Sequence, residues 1–232
     1  MKKMILVFSL IIGCCFTQTG MLAEKGYGAF GIWGEASAPV DSDYGQERTV
    51  LSLDYMTKFG LEIGIKAGTL TDNYYEGWYG YYGYDASMEY AITGYNIEYH
   101  FKNNNMYRGG TNFYIGYDVE ELSFEDEDTG TLSDPLSEMK TYSLGLYSNK
   151  RTFFELSQET FSYYDTMWGY EVDVENEFVK FGGLIRIGRK AGVLISYKID
   201  TDYVEAMFEN EDLEYFKQGD LTLAIGGAFG AW

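Results

Sequence analysis

His100 is the only histidine in the chain, and it is where this sequence could do proton-transfer chemistry. A strand read through Thr93–Phe101 puts His100, Glu98 and Asn96 on one face, and the next strand offers Asp118 and Glu120. A histidine beside a carboxylate can polarise a water or a hydroxyl if a nucleophile stands within hydrogen-bond reach. No residue is spaced for that role. Ser-His-Asp, Asp-x-His and His-x-Ser arrangements are absent, and so are a Gly-rich phosphate loop and a Cys/His cluster. The sequence is therefore read as non-enzymatic, with His100 hydrogen-bonded in a polar interior, and a hydrolase built on His100 is the alternative.

Two other stretches could bind something. Asp126-x-Asp128-x-Gly130 has the opening carboxylates and glycine of a calcium loop but no later bidentate glutamate at the right spacing, so no metal and no cofactor is expected. The run from Tyr74 to Tyr84 holds Tyr74, Tyr75, Trp78, Tyr79, Tyr81, Tyr82 and Tyr84 with glycines between them. Such rings give flat apolar area with a polar handle, suited to an extracellular glycan or a protein surface. The competing reading places them in an interfacial girdle.

The elements that must position these residues are strands. Hydrophobic side chains recur with a period of two: Leu51, Leu53 and Tyr55; Ile63 and Ile65; Tyr95, Ile97, Tyr99 and Phe101; Phe113, Ile115 and Tyr117; and Val193, Ile195 and Tyr197. The last stretch, Leu221–Trp232, alternates in the same way. The opposite faces carry Glu62, Lys66, Glu98, His100, Asp118, Lys180 and Arg186, read as a polar network inside a closed barrel. About ten strands of some 9–11 residues are expected, with eight or twelve as alternatives, enough to cross a bilayer when tilted. Short connections at 58–60, 102–105, 149–151 and 188–190 alternate with long acidic ones, including Thr71–Ser87, Glu121–Lys140, Tyr164–Asp173 and Asp200–Asp220. No long helix is expected.

The N-terminus sets the compartment. Lys2 and Lys3 precede an apolar run, Ile5–Phe16, and the small-residue exit Met21-Leu-Ala23, which together read as a secretory leader cleaved after Ala23. Ile11-Ile-Gly-Cys14 offers lipid attachment at Cys14 as the alternative. Both cysteines, Cys14 and Cys15, lie in the leader, so residues 24–232 form one domain without disulfides. Losing the leader moves the net charge from −19 to −21, because two lysines and no acids go with it. That charge excludes nucleic acid as a partner.

An exported chain of alternating strands, with short turns gathered at one end and a final strand ending in an aromatic, resembles the small bacterial outer-membrane β-barrels over residues 24–232. The resemblance implies an all-β, closed, antiparallel up-and-down transmembrane barrel in the cell outer membrane, monomeric, with outer-membrane lipid and the barrel assembly machinery as partners. It also implies that Trp232, with Phe229 beside it, serves as the assembly signal. Gly227-Ala-Phe-Gly-Ala-Trp232 nearly repeats Gly28-Ala-Phe-Gly-Ile-Trp33, and the two are expected to meet at the closing seam. The function read from all this is surface interaction or envelope structure. A small diffusion pore and a soluble or lipid-anchored lipocalin-like barrel are the alternatives.

Overall fold

The computed structural model describes residues 17–22, 28–40, 45–76, 84–101, 111–124, 137–148, 152–165, 170–188, 190–210 and 217–230. Ten antiparallel strands form a closed barrel in which each strand pairs with its chain neighbours and β1 closes on β10. The strands are β1 (Ala29–Pro39), β2 (Gly45–Met56), β3 (Leu61–Glu76), β4 (Tyr84–Phe101) and β5 (Thr111–Ser123), followed by β6 (Ser137–Ser148), β7 (Thr152–Asp165), β8 (Tyr170–Ile187), β9 (Ala191–Asp200) and β10 (Asp220–Gly230). Closure leaves no unpaired edge, so every strand can satisfy its backbone groups from both sides.

The alternation in the sequence becomes an inside and an outside. Burial along β5 begins exposed, buried, exposed, buried, with Phe113 and Ile115 outward and Asn112 and Tyr114 inward. The outward side chains form an exposed apolar belt that includes Leu53, Ile65, Ile97, Leu144, Leu156, Ile185 and Ile195. Aromatics border this belt at two levels. Phe30 packs against Tyr55 with ring centroids 4.8 Å apart, and Tyr99 packs against Phe101, near the end where the chain turns at 57–60, here the lower end. Tyr117 packs on Tyr142 at 4.9 Å and Phe181 on Tyr197 at 5.5 Å, towards the upper end. Above that second level the outward positions of β8 turn acidic, at Glu177, Glu175 and Asp173.

The lower turns are tight for local reasons. Gly60 has φ of +100°, which L side chains rarely adopt, and its carbonyl accepts a 2.8 Å hydrogen bond from His100 N. Gly188, with φ of +72°, turns β8 into β9.

Several expectations need correction. Strand lengths run from 10 to 18 residues instead of about 9–11, the longest being those of the β3–β4 and β7–β8 hairpins, which extend past the belt. β3 and β4 continue their pairing to Glu76↔Tyr84, so Tyr74, Tyr75 and Tyr84 belong to strands and not to a loop. Tyrosine favours a pleated, paired backbone, and that preference outweighs the glycine-rich composition there. Trp78, Tyr79, Tyr81 and Tyr82 lie outside the described residues, as does Asp126-x-Asp128-x-Gly130. β7 and β8 likewise pair as far as Asp165↔Tyr170, and β5 and β6 reach into the stretch read as Glu121–Lys140. Residues 102–110, which include the turn expected at 102–105, lie outside the described residues.

Two helices are also present among the described residues. α1 (Thr17–Leu22), formed from residues of the segment read as the leader, sits inside the lower end against β1, β2, β9 and β10. α2 (Thr201–Asn210) lies in what was read as the last loop. Asp200 Oδ1 accepts 2.8 Å from Asp202 N at its start, an N-cap, and Met207 is buried where α2 packs on β8 and β9.

The closing seam forms as the repeated sequence anticipates. Phe30 pairs with Phe229, and Trp33 with Gly226, in the antiparallel β1–β10 register. Phe229 is half-exposed on the outer face, and Trp232 lies outside the described residues.

Candidate functional site: the polar interior

The period-2 pattern puts Glu98 and His100 on the inner face of β4, and the β3–β4 register puts Glu62 directly opposite Glu98. His100 Nε2 then lies 3.0 Å from Glu62 Oε2 and 3.2 Å from Glu98 Oε2. All three residues are buried. The other ring nitrogen, Nδ1, stands 3.5 Å from the Tyr147 hydroxyl. Tyr114 stacks on the His100 ring at 5.7 Å between centroids and donates its hydroxyl to Glu155 Oε2.

A second cluster sits higher in the barrel. Lys66 Nζ lies 2.5 Å from Asp118 and also contacts Glu120, which in turn takes Arg48 Nη2 at 2.5 Å. Lys198 pairs with Glu159 at 2.5 Å on the far wall. A charge enclosed by strands needs a partner of opposite sign, and these pairs supply it.

The expected network therefore divides. Glu62, Glu98 and His100 come together, and Lys66 and Asp118 join a different group. Lys180 stands opposite Glu155 in the β7–β8 register. Arg186 is apart from both clusters, with Nη2 at 3.2 and 3.3 Å from the Met21 and Leu22 carbonyl oxygens of α1. Arg48, Glu159 and Lys198 were missing from the network read in the sequence, although the inward parity of Ser52 and Asp54 extends to Arg48 and would have found it.

Between the two ends the interior changes character. The upper half holds a cavity of about 150 Å³ lined by Glu35, Arg48, Asp118, Glu120, Lys180 and Asp220 among others. Glu98 reaches it from below. Beneath lies a continuous apolar layer: Trp33, Met56, Tyr114, Tyr147, Phe153, Leu184 and Leu194, with Met21 and Leu22 of α1 packed into it. Its rings fit because glycine stands opposite them. A Cβ on Gly145 would meet the Tyr114 ring at 2.1 Å, and one on Gly182 would meet Phe153 at 2.8 Å. Asp54 is held at this level by Ser52 Oγ at 3.0 Å and Thr19 Oγ1 at 3.3 Å. Trp33 Nε1 donates to the same Thr19 oxygen at 2.9 Å.

No family model and no curated protein matches this chain. Among solved structures, the NanC porin is 11% identical, with 86% of this chain and 98% of that one covered and a TM-score of 0.37. The β-domain of the Bordetella autotransporter BrkA is 9% identical, with coverages of 89% and 99% and a TM-score of 0.41. The N-terminal β-barrel domain of Pseudomonas aeruginosa OprF is 10% identical, with coverages of 89% and 98% and a TM-score of 0.29. At that distance nothing passes from those proteins to this chain, whose fold stands on its own strand pairing.

The chemistry open to the interior is limited. His100 has carboxylates on one side and two tyrosines on the other, with no serine, threonine or cysteine among its recorded partners. It lies beneath the cavity and is 1% exposed, so a substrate entering from above would meet Glu98 before it met His100.

Proposed function

We propose that this chain is a non-enzymatic integral barrel of the bacterial outer membrane, with its lower end towards the periplasm and its upper end at the cell surface. The observation that carries the reading is the inversion of burial. Ile65, Leu144 and Ile185 are each 55–61% exposed on the outside, while Glu62, Lys66, Glu98 and Glu120 are at most 6% exposed on the inside. In water this arrangement would leave a very large apolar surface uncovered and strand ionised groups in the interior. In a bilayer both choices lower the free energy. Two aromatic levels bordering the belt match the girdles of such barrels at the two interfaces.

A role in surface interaction or envelope structure follows from what the barrel lacks as much as from what it offers. The apolar layer around Trp33, Tyr114 and Phe153 argues against a through-pore, and the setting of His100 argues against hydrolysis. The parts left to meet a partner are the upper ends of β3, β4, β7 and β8, rich in tyrosine and acid, which project past the belt. A glycan or protein ligand would dock there. Refolding into lipid vesicles and flotation tests the membrane reading: the protein should rise with the lipid and resist carbonate extraction, whereas recovery in the soluble fraction overturns it.

A further inference from the structure

We infer that Glu62, Glu98 and His100 form a binding site for a single divalent transition-metal ion, with Zn²⁺ or Mn²⁺ as the fitting class. One ligand atom from each of these residues can be chosen so that all lie within 4.8 Å of one another. His100 Nε2 is 3.0 and 3.2 Å from the two carboxylate oxygens. Two ligand atoms each about 2.0–2.1 Å from one ion, at tetrahedral or octahedral angles, stand roughly 2.9–3.4 Å apart, so these separations suit a shared ion. They would also suit hydrogen bonds. Apart from the contacts that Nε2 of the buried His100 makes with Glu62 and Glu98, neither Nε2 nor Oε2 of the buried Glu98 has a hydrogen-bond partner among the described residues, and both face the cluster.

Local charge favours a cation. Asp54, Glu62 and Glu98 crowd this level, with His100 the one basic side chain recorded among them, whereas Lys66 and Arg48 serve the cluster above. One imidazole with two carboxylates is a donor set for zinc or manganese, not for the all-oxygen shells of Ca²⁺ or Mg²⁺. The surroundings are arranged as a metal site requires. Gly60 O fixes the His100 backbone at 2.8 Å. The Tyr147 hydroxyl faces Nδ1, where it can accept that proton and leave the Nε2 lone pair for the ion. Glu98 also borders the upper cavity, whose lining holds more carboxylates than cations.

The test uses the full exported barrel, folded in detergent micelles and stripped with chelator. Titration with Zn²⁺ should give one equivalent bound per chain, unaffected by millimolar Ca²⁺ or Mg²⁺. His100→Gln and Glu62→Gln should each weaken binding at least 10-fold while the unboiled protein still migrates as a folded barrel on a gel. X-ray absorption on the wild-type zinc complex needs no variant, and should show one imidazole and a carboxylate shell at about 2.0–2.1 Å. A folded wild type that binds no stoichiometric metal overturns the inference. So does a zinc shell without imidazole, which marks surface carboxylates only, or undiminished binding by folded His100→Gln.

Discussion

Gly226 stands opposite Trp33 in the β1–β10 pairing, and a Cβ on Gly226 would lie 2.6 Å from the indole ring. At this position the last strand therefore leaves the Trp33 ring and the Ile32 carbonyl the space that a side chain would fill. Gly226→Ala should destabilise the folded barrel by about 1–3 kcal/mol through overpacking, and Gly226→Leu should prevent closure. In Trp33→Ala the alanine at 226 should cost less, a coupling that urea unfolding of the four combinations would reveal. Equal costs in both backgrounds would mean that the ring is not what Gly226 accommodates.

The upper ion cluster yields a second prediction. Lys66 holds Asp118 and Glu120 inside the barrel, so Lys66→Met leaves carboxylates without one of their cations. The expected loss is about 3–5 kcal/mol, since removing one partner of a buried pair strands the other charge. Adding Glu120→Gln to Lys66→Met should recover part of it, while Arg48 keeps the remaining contact. Unfolding midpoints of the single and double variants decide the matter.

Leu144 separates a lipid-facing wall from a water-facing one. It is 55% exposed in the middle of the belt. Leu144→Arg should cost about 2–4 kcal/mol if that surface meets hydrocarbon. An exposed position on a soluble protein would change by no more than about 0.5 kcal/mol. Denaturant titration of the barrel folded in lipid gives the number.

Conductance tests the apolar layer. Wild-type protein inserted in a planar bilayer should show no discrete steps, whereas removing two rings at once, with Tyr147→Ala and Phe153→Ala, should allow small ones. Steady channel openings in the wild type would contradict a sealed interior.

Much of this was legible before any coordinates. Strand alternation separated Leu51, Leu53 and Tyr55 from Ser52 and Asp54 because a strand wall buries one face only. The near-repeat of Gly28–Trp33 in Gly227–Trp232 located the seam. What stayed hidden depends on pairing across strands. Glu62 meets His100 through the β3–β4 register, and sequence spacing carries no register between strands joined by a long hairpin. Arg48 was missed because it lies beyond the apolar part of β2, where alternation fades. The extension of β3 and β4 through Tyr74 and Tyr84 was hidden by glycines that read as loop.

The central claim is a folded barrel seated in the outer membrane, and mobility on a gel tests it most directly. Outer membranes from cells producing the chain should be solubilised and run with and without boiling. Unboiled protein should migrate as a compact form and shift on boiling, as a closed ten-strand barrel keeps its shape in detergent until heated. A single unshifted band, with the protein recovered from the soluble periplasm, would contradict the account.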